Sequence, residues 1–325
     1  MMPLRPMVIK QPQNLIELTQ CLADARPRSK IIAGGTDLVP NLKHGLYDID
    51  NLISLRDVSE LNLITVESNK LSLGAGVKLK QIINHQNIKM LFPALSLAAA
   101  SIASPQIRNM ATVGGNICLD TRCLYFNQSE FWRQALGYCL KKDGDACHVV
   151  KTGQRCVAAS SNDLATMLLA LDASVSIFSS HGTRTIKLDN FYTNNGEKNH
   201  ILEHGEIISR VDLETVYNYS GFAKLRHRES IDFSMLSIGL SYNLEKHRIT
   251  SGKLVVSALV AKPKIFDLSN YINQILDDNL IYDIANMAAQ KSYPQTNICD
   301  DPNWRKAMIV EYTRRAFMSA RTICS

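Results

Sequence analysis

The sequence predicts an α+β protein with two parts, an N-terminal α+β region and a smaller C-terminal sheet covered by helices. Over the first part, short apolar runs typical of strands alternate with runs of helical spacing. From residue 211 to residue 260 the chain is rich in strand-forming residues, and helical patterns then close it. A boundary near 215–222 separates the two parts, and we predict domains at 1–218 and 219–325.

The N-terminal region begins with helical and strand-like segments. Residues 13–25 place apolar side chains at helical spacing, and the Ala-rich segment Leu91–Ala103 predicts a buried helix. The predicted strands are short apolar runs between polar turns, at Lys30–Ala33, Leu52–Leu55, Leu61–Val66 and Lys70–Leu73.

Regular pattern resumes after a cysteine-bearing segment that resembles an insertion. Asn162–Asp172 predicts a helix, strands follow at Ser174–Phe178 and Arg184–Leu188, and Asn190–Glu206 is polar and loop-like. The last helix is predicted at Pro302–Arg321. Its apolar face consists of Trp304, Met308, Tyr312 and Phe317.

Composition and charge exclude several classes of protein. With 325 residues and 46% hydrophobic content the chain can bury a core, and a net charge of +6 is too small to indicate nucleic-acid binding. The N-terminus lacks the apolar core of a signal peptide, and no apolar run reaches the roughly 18 residues that a membrane span needs. We therefore predict a cytoplasmic protein whose cysteines stay reduced.

Two glycine pairs each follow an apolar approach and precede a short polar side chain. The first lies in Ile31–Leu38 (IIAGGTDL) and the second in Thr112–Asn116 (TVGGN). Glycine lets the backbone approach a ligand closely, and successive N–H groups in such a turn can converge on an anion. Neither segment is a GxGxxG fingerprint or a P-loop. The pairs are consistent with structural turns or with a diphosphate site.

Four cysteines, Cys123, Cys139, Cys147 and Cys156, fall within 34 residues at gaps of 15, 7 and 8. Structural zinc sites usually use closely paired ligands, whereas wide single gaps suit a loop wrapped around a larger iron–sulfur cluster. The spacing favours a cluster over zinc and leaves open that no metal binds. His148 is a possible substitute ligand. Aromatic residues lie between the cysteines and predict a shield for the cluster or an anchor for the insertion: Tyr125, Phe126, Phe131, Trp132 and Tyr138.

The cysteine-bearing segment is also basic. Residues 122–156 contain six basic side chains against three acidic ones, a net charge of +3. Apart from a merely solvated loop, this charge fits two roles, which are to offset an anionic cluster or to attract an acidic protein. Charge reversal at Lys141 and Lys142 would distinguish the two roles. A loss of docking would depend on salt concentration, whereas a loss of charge balance would change the potential of the cluster.

Several longer segments match motifs of a known family. They are AGGTDL at 33–38, SPQIRNMATVGGNIC at 104–118, SNDLATMLLALDA at 161–173, GFAKLRHRESIDFSMLSIGLSY at 221–242 and DPNWRKAMIVEYTRRAF at 301–317. Together they resemble the FAD-binding subunits of the molybdenum hydroxylase (xanthine dehydrogenase) family. The segment at 120–159, which ordinary members lack, is similar to the [4Fe–4S]-bearing insertion of the 4-hydroxybenzoyl-CoA reductase β subunits. The implied fold is a two-lobed FAD-binding α+β domain followed by a smaller C-terminal sheet-and-helix domain.

The resemblance also implies site residues. FAD would lie between the loops Ile31–Leu38 and Thr112–Asn116. The individual residues implied for FAD binding are Ile31, Ile32, Ala33, Gly34, Gly35, Thr36, Asp37, Leu38, Ile102, Thr112, Val113, Gly114, Gly115, Asn116, Asp163, Ile208 and Lys224. The four cysteines would ligate the [4Fe–4S] cluster, and the chain would contain no catalytic residue of its own.

The implied function is electron transfer within a complex. A large subunit would carry molybdopterin and a small one two [2Fe–2S] clusters, while this chain would pass electrons from a ferredoxin-like donor through its cluster and FAD. In a 4-hydroxybenzoyl-CoA reductase those electrons would remove a phenolic hydroxyl and give benzoyl-CoA, a step of aromatic degradation. The alternatives are the FAD subunit of a xanthine or N-heterocycle dehydrogenase, or a metal-binding scaffold without redox function.

Overall fold

The structure is a computed structural model that describes residues 3–67, 69–214 and 216–324. Its strands form three sheets, of three, five and four strands. Helices pack between the sheets and at the C-terminus, so the predicted α+β fold class is confirmed. The predicted boundary between residues 218 and 219 falls in the segment that joins the five-stranded sheet to the four-stranded one, and it stays a prediction.

The N-terminal sheet is small and parallel, with strand order β1-β3-β2. Its elements are β1 (Val8–Lys10), α1 (Leu15–Ala23), β2 (Ser29–Ile32), α2 (Leu38–Lys43) and β3 (Asn51–Ser54). Asn14 caps α1 by accepting a hydrogen bond from the Glu17 amide. Leu18 and Leu22 of that helix pack with Ile53 of β3, so the helix covers one face of the sheet.

The second sheet is antiparallel, with order β4-β5-β8-β6-β7. Its strands are β4 (Ile64–Glu67), β5 (Lys70–Gly74), β6 (Ser174–Ser179), β7 (Gly182–Lys187) and β8 (Ile207–Glu214). The connection from β5 to β6 contains α3 (Leu79–Asn84), α4 (Gln86–Leu91), α5 (Pro93–Ala100), α6 (Pro105–Met110), α7 (Val113–Ile117), α8 (Glu130–Ala135) and α9 (Asp163–Ala170). Helix α9 is wholly buried and α5 is mostly buried, with Leu97 and Ala100 exposed. Both helices contact strands of the C-terminal sheet, and their buried side chains share one core with this sheet.

The C-terminal sheet is an antiparallel meander, with order β12-β11-β10-β9. Its elements are β9 (Tyr219–Leu225), β10 (Leu236–Glu245), β11 (Arg248–Ser257), β12 (Lys264–Asp267), α10 (Asp278–Gln290) and α11 (Pro302–Cys324). Helix α11 packs along β9 and β10, and Phe317 is fully buried there. Three short 3-10 helices, at Ser59–Asn62, Leu188–Phe191 and Ser269–Tyr271, complete the described elements.

Most predicted elements are confirmed to within a few residues, and the differences have local causes. Part of the predicted strand Leu61–Val66 is a 3-10 turn, in which Leu61 is buried by packing and the strand begins only at Ile64. The predicted helix Leu91–Ala103 is divided, because Pro93 begins a new helix at its first position. The second glycine pair lies inside the short helix α7 and is not an open turn. No helix in the described ranges is long and apolar enough to cross a membrane.

Arg305 of α11 joins the last helix to the C-terminal sheet. It is fully buried, and its guanidinium donates hydrogen bonds to the carbonyl oxygens of Met235, Ala258 and Gln295 at 2.6–3.1 Å. Burial lowers the pKa of Arg305 to about 10, so the side chain stays charged near neutral pH. Three carbonyl oxygens that lie outside the strands thus share one donor side chain.

We expect Arg305→Leu to lower the free energy of unfolding by about 3 kcal/mol, because it leaves three buried carbonyls without a donor. Urea denaturation followed by far-UV circular dichroism measures this loss. Arg314→Leu, on the exposed side of the same helix, is the matched control and should change stability by less than about 0.5 kcal/mol. Equal effects of the two substitutions would contradict a structural role for Arg305.

Candidate functional site

A cavity of about 790 Å³ lies where the three sheets meet. Its wall combines the loop after β2, the start of α7, the polar segment before β8 and side chains of the C-terminal sheet. The residues implied for FAD binding that line it are Ile31, Ile32, Ala33, Gly34, Gly35, Thr36, Asp37, Leu38, Ile102, Thr112, Gly114, Gly115, Asn116, Asp163, Ile208 and Lys224. Segments far apart in sequence therefore share one cavity.

The first glycine pair brings the backbone close to the cavity. A Cβ on Gly34 would overlap the carbonyl of Met110, and Gly35 has φ +70°, which favours glycine. Asp37 stands at the start of α2 and forms an ion pair with Arg122, whose guanidinium also lies 4.2 Å from the centroid of the Phe233 ring. The loop is thus fixed by the chain that follows the second glycine pair.

The second glycine pair forms the first turn of α7. Thr112 caps this helix, its Oγ1 accepting a hydrogen bond from the Gly115 amide at 3.1 Å. Gly114 packs against Ala75, with no room for a side chain, and Asn116 faces the cavity. Val113, by contrast, lies in the hydrophobic core and not in the cavity wall. The helical turn directs Val113 into the core and leaves the other residues of the segment at the cavity, a difference that an open loop would not predict.

A buried ion pair joins the two halves of the cavity wall. Lys224 Nζ of β9 lies 2.5 Å from Asp163 Oδ2 of α9, and both side chains are only 4% exposed. The other Asp163 oxygen accepts hydrogen bonds from Ser234 and Ser237, and the ammonium also donates to the Ser101 carbonyl at 3.2 Å. The resemblance had assigned Asp163 and Lys224 separate contacts with the cofactor, whereas the structure also bonds them to each other.

Among the described residues, three buried polar atoms of the cavity wall have no hydrogen-bond partner in the protein. They are Asn116 Oδ1, Ser161 Oγ and His200 Nδ1. Burial lowers the pKa of His200, which favours a neutral imidazole. Buried polar groups normally have partners, so these atoms indicate a polar ligand. The glycine loops, the apolar wall and these atoms fit FAD.

Several cavity residues were missed from sequence. Tyr47 donates a hydrogen bond to Asp120 Oδ2 at 2.6 Å, and both line the wall. Burial, then the nearby Asp120 carboxylate, raises the pKa of the Tyr47 phenol well above its usual value. Lys198 and His200 come from the segment predicted only as a polar loop. No motif marks these positions, because the fold alone brings them together.

The four cysteines of the insertion surround a second, small cavity, which we call the cysteine nest: Cys123, Cys139, Cys147 and Cys156. All four are free thiols and buried. Burial raises the pKa of Cys123 to about 12 and also raises that of Cys156. Backbone amides of Val150 and Ala158 lie 3.5 Å from two of the sulfurs. In the part of the chain that the structure describes, no group of three or more Cys, His, Asp or Glu side chains is arranged to hold one metal ion.

The residues around the cysteine nest differ from the expected shield. Tyr125 and Phe126 line it, but Phe131 and Trp132 of α8 are 79% and 45% exposed. The expected aromatic cover is therefore wrong for these two. His148 packs on Tyr125 with ring centroids 5.0 Å apart, and its Nε2 contacts the Tyr138 carbonyl oxygen. That contact leaves only its other ring nitrogen for any ligand role.

The basic charge of the insertion is divided between the interior and the surface. The side chain of Lys141 is only 4% exposed and pairs with Asp120, while Arg133 is buried beside Glu130. Lys151 and Arg155 are exposed. The expectation that Lys141 belongs to a docking surface is therefore wrong, because its ammonium is already bonded inside the protein.

Comparison with known proteins identifies the family. A family model described as the FAD binding domain in molybdopterin dehydrogenase matches residues 5–213. The aldehyde oxidoreductase FAD-binding subunit PaoB of Escherichia coli strain K12 is 32% identical over 250 residues, which are 73% of this chain and 76% of that relative. The xanthine dehydrogenase FAD-binding subunit of Escherichia coli O157:H7 is 32% identical over 254 residues, 77% of this chain and 73% of that relative.

Solved structures agree on the fold. That of quinoline 2-oxidoreductase from Pseudomonas putida 86 matches with a TM-score of 0.79 at 21% identity, over the whole of both chains. The sequence match and the structural match both cover most of the chain, and both include the two glycine segments. The chain belongs to the FAD-binding subunits of the molybdenum hydroxylase family.

Proposed function

We propose that this chain is the electron-relay subunit of a molybdenum hydroxylase complex and that its cysteine nest holds a [4Fe–4S] cluster. The observation that carries the proposal is the nest itself, four buried free thiols around one small cavity in a chain of the FAD-binding family. Thiolate sulfur is the usual ligand of iron–sulfur clusters. The domains would be an FAD-binding part at 1–218, which includes the insertion, and a C-terminal part at 219–325.

FAD, when bound, supplies one- and two-electron redox chemistry. The residues of this chain would bind and orient it. The loop Ile31–Leu38 would offer backbone amides to the phosphates, and Asn116 and Ser161 offer polar side-chain atoms without another partner in the protein. The amides at the start of α7 already donate within the protein, so this turn would contribute close backbone approach and the Asn116 side chain. The buried ion pair of Asp163 and Lys224 forms part of the wall on the side of the C-terminal sheet.

The cysteine nest would hold its cluster with four thiolates and stabilise their charge with backbone amides. The Val150 amide points to Cys147 and the Ala158 amide to Cys156. Hydrogen bonds to ligand sulfurs and exclusion of solvent are two of the factors that set a cluster's potential. A single zinc ion is the alternative to a cluster at such thiols, and metal analysis distinguishes zinc from iron.

We propose further subunits as partners, a large one with molybdopterin and a small one with two [2Fe–2S] clusters, in a cytoplasmic complex. Both relatives are named as FAD-binding subunits, which implies companion chains. A ferredoxin-like protein would be the electron donor. The exposed basic side chains Lys151 and Arg155 support contact with an acidic protein.

Two candidate reactions remain for the complex. The relatives, which are named as subunits of a xanthine dehydrogenase and an aldehyde oxidoreductase, favour a dehydrogenase of xanthine, an N-heterocycle or an aldehyde. The cysteine insertion favours reductive dehydroxylation of 4-hydroxybenzoyl-CoA to benzoyl-CoA in aromatic degradation. The assembled complex is tested with xanthine, an N-heterocycle or an aldehyde and an electron acceptor, and separately with 4-hydroxybenzoyl-CoA and a reduced low-potential donor. Turnover of only one substrate class identifies the reaction.

For the full chain prepared without oxygen we expect FAD together with about four iron and four sulfide per chain. Cys139→Ser should lose iron and sulfide but keep FAD, because the nest and the larger cavity are separate. Cys299→Ser, at an exposed thiol outside the nest, is the control and should keep both. Chemical analysis of iron, sulfide, zinc and flavin measures all three proteins. Wild-type protein that contains FAD but zinc or no metal, even after reconstitution, would contradict the cluster.

For docking we expect the double change Lys151→Glu and Arg155→Glu to slow electron entry from an acidic ferredoxin about tenfold at low ionic strength. The effect should shrink as salt rises, because exposed charges are screened. Stopped-flow reduction of the assembled complex measures the rate. Lys89→Glu, an exposed lysine on α4, is the matched control. A slowing that does not depend on salt would argue against electrostatic docking at this surface.

A further inference from the structure

Lys141 lies in the wall between the two cavities. Its side chain lines the cysteine nest, and its Nζ is 2.6 Å from Asp120 Oδ1. Asp120 in turn lines the larger cavity, where its other oxygen accepts the hydrogen bond of Tyr47. One ion pair thus spans the partition between the FAD site and the nest.

The ammonium is held in a fixed position. Besides Asp120 it donates to the Gly196 carbonyl at 2.7 Å and contacts Thr121 Oγ1 at 2.5 Å. On a further side it lies 4.5 Å from the ring centroid of Phe126, which belongs to the core of the nest. With three polar partners and one ring, the lysine has no freedom to turn towards solvent.

The same contacts lead directly to a ligand cysteine. The Gly196 amide donates to the Cys156 carbonyl at 2.8 Å, and a Cβ on Gly196 would lie 2.9 Å from Cys156 Sγ. The segment that contains Gly196 continues to Lys198 and His200, which line the larger cavity. Lys141 is therefore hydrogen-bonded to a segment, Gly196–His200, that contacts the nest at one end and lines the FAD site at the other.

The positive charge of Lys141 would affect the reduction potential of a cluster in the nest. Interactions between charges are stronger in a buried, water-poor site than at the surface, and they are little screened by salt. Reduction of a cluster adds one electron and hence one negative charge, with no bond formed or broken and no proton required. A fixed cation beside the nest stabilises the reduced form relative to the oxidised one and so raises the reduction potential.

The geometry points to Lys141 as the residue whose buried cation raises the reduction potential of the group held by the cysteine nest. Its partner Asp120 opposes that effect from the FAD side. This inference rests on the cluster of the proposed function. It assigns Lys141 to potential control, and it leaves docking to the exposed Lys151 and Arg155.

The test compares cluster potentials in the assembled complex. We expect Lys141→Met to shift the ratio of reduced to oxidised cluster about tenfold towards the oxidised form at a fixed solution potential, which is 59 mV for a one-electron couple. Lys141→Arg should restore most of the potential. Lys142→Met is the matched control, because the neighbouring side chain is 25% exposed and pairs with Asp143, and it should shift the ratio much less. Redox titration followed by electron paramagnetic resonance measures each ratio.

A variant on the other side of the pair tests the same idea with the opposite sign. Asp120→Asn removes the opposing carboxylate, so the ratio should move towards the reduced form. It gives a result even if Lys141→Met does not keep its cluster. Both shifts should persist in high salt, because the pair is buried.

The outcomes separate this inference from the proposed function. Wild-type protein without iron and sulfide would overturn the proposed cluster. A loaded cluster whose potential changes equally in Lys141→Met and Lys142→Met, or does not change in Asp120→Asn, would overturn the role of Lys141 alone. A change in the rate of electron entry from a ferredoxin, with the potential unaltered, would likewise overturn it and return the lysine to docking.

Discussion

The buried ion pair of Asp163 and Lys224 is the contact on which the shape of the larger cavity depends. It joins the N-terminal end of α9 to the C-terminal end of β9, and it sets the C-terminal sheet beside the glycine segments. A buried charge without its partner is strongly unfavourable, so each residue requires the other. The serines and backbone carbonyls that complete their hydrogen bonds come from both parts of the chain. The cavity exists because these parts are held together.

The sequence predicted the fold class and most strands, since apolar period and polar turns mark them directly. It also identified the two glycine segments and the four cysteines, because Gly34, Gly114 and the nest cysteines are local signals. It could not reveal that Asp163 faces Lys224, since 61 residues separate them. For the same reason Tyr47, Asp120 and His200 were not foreseen as parts of the cavity wall.

The charge and the aromatic content of the insertion show a second limit of prediction from sequence. Counting residues from 122 to 156 gives a net charge of +3, but it does not say which charges face solvent. In the structure Lys141 and Arg133 are inside, and each has an acidic partner. Phe131 and Trp132 are outside, although aromatic residues are usually expected in a core. The sequence shows which residues the insertion contains, but packing determines which of their side chains are buried and which face solvent.

Burial of the cysteine nest has a consequence for how the protein matures. Thiols bind metals as thiolates, so loading must release protons, and burial makes that release harder where it raises the pKa, as at Cys123 and Cys156. Each nest sulfur belongs to a residue that is less than a tenth exposed. A cluster of the proposed kind would have to reach sulfurs that have little contact with solvent. Its loading would therefore require the insertion to open, or to be still unfolded, when the cluster arrives.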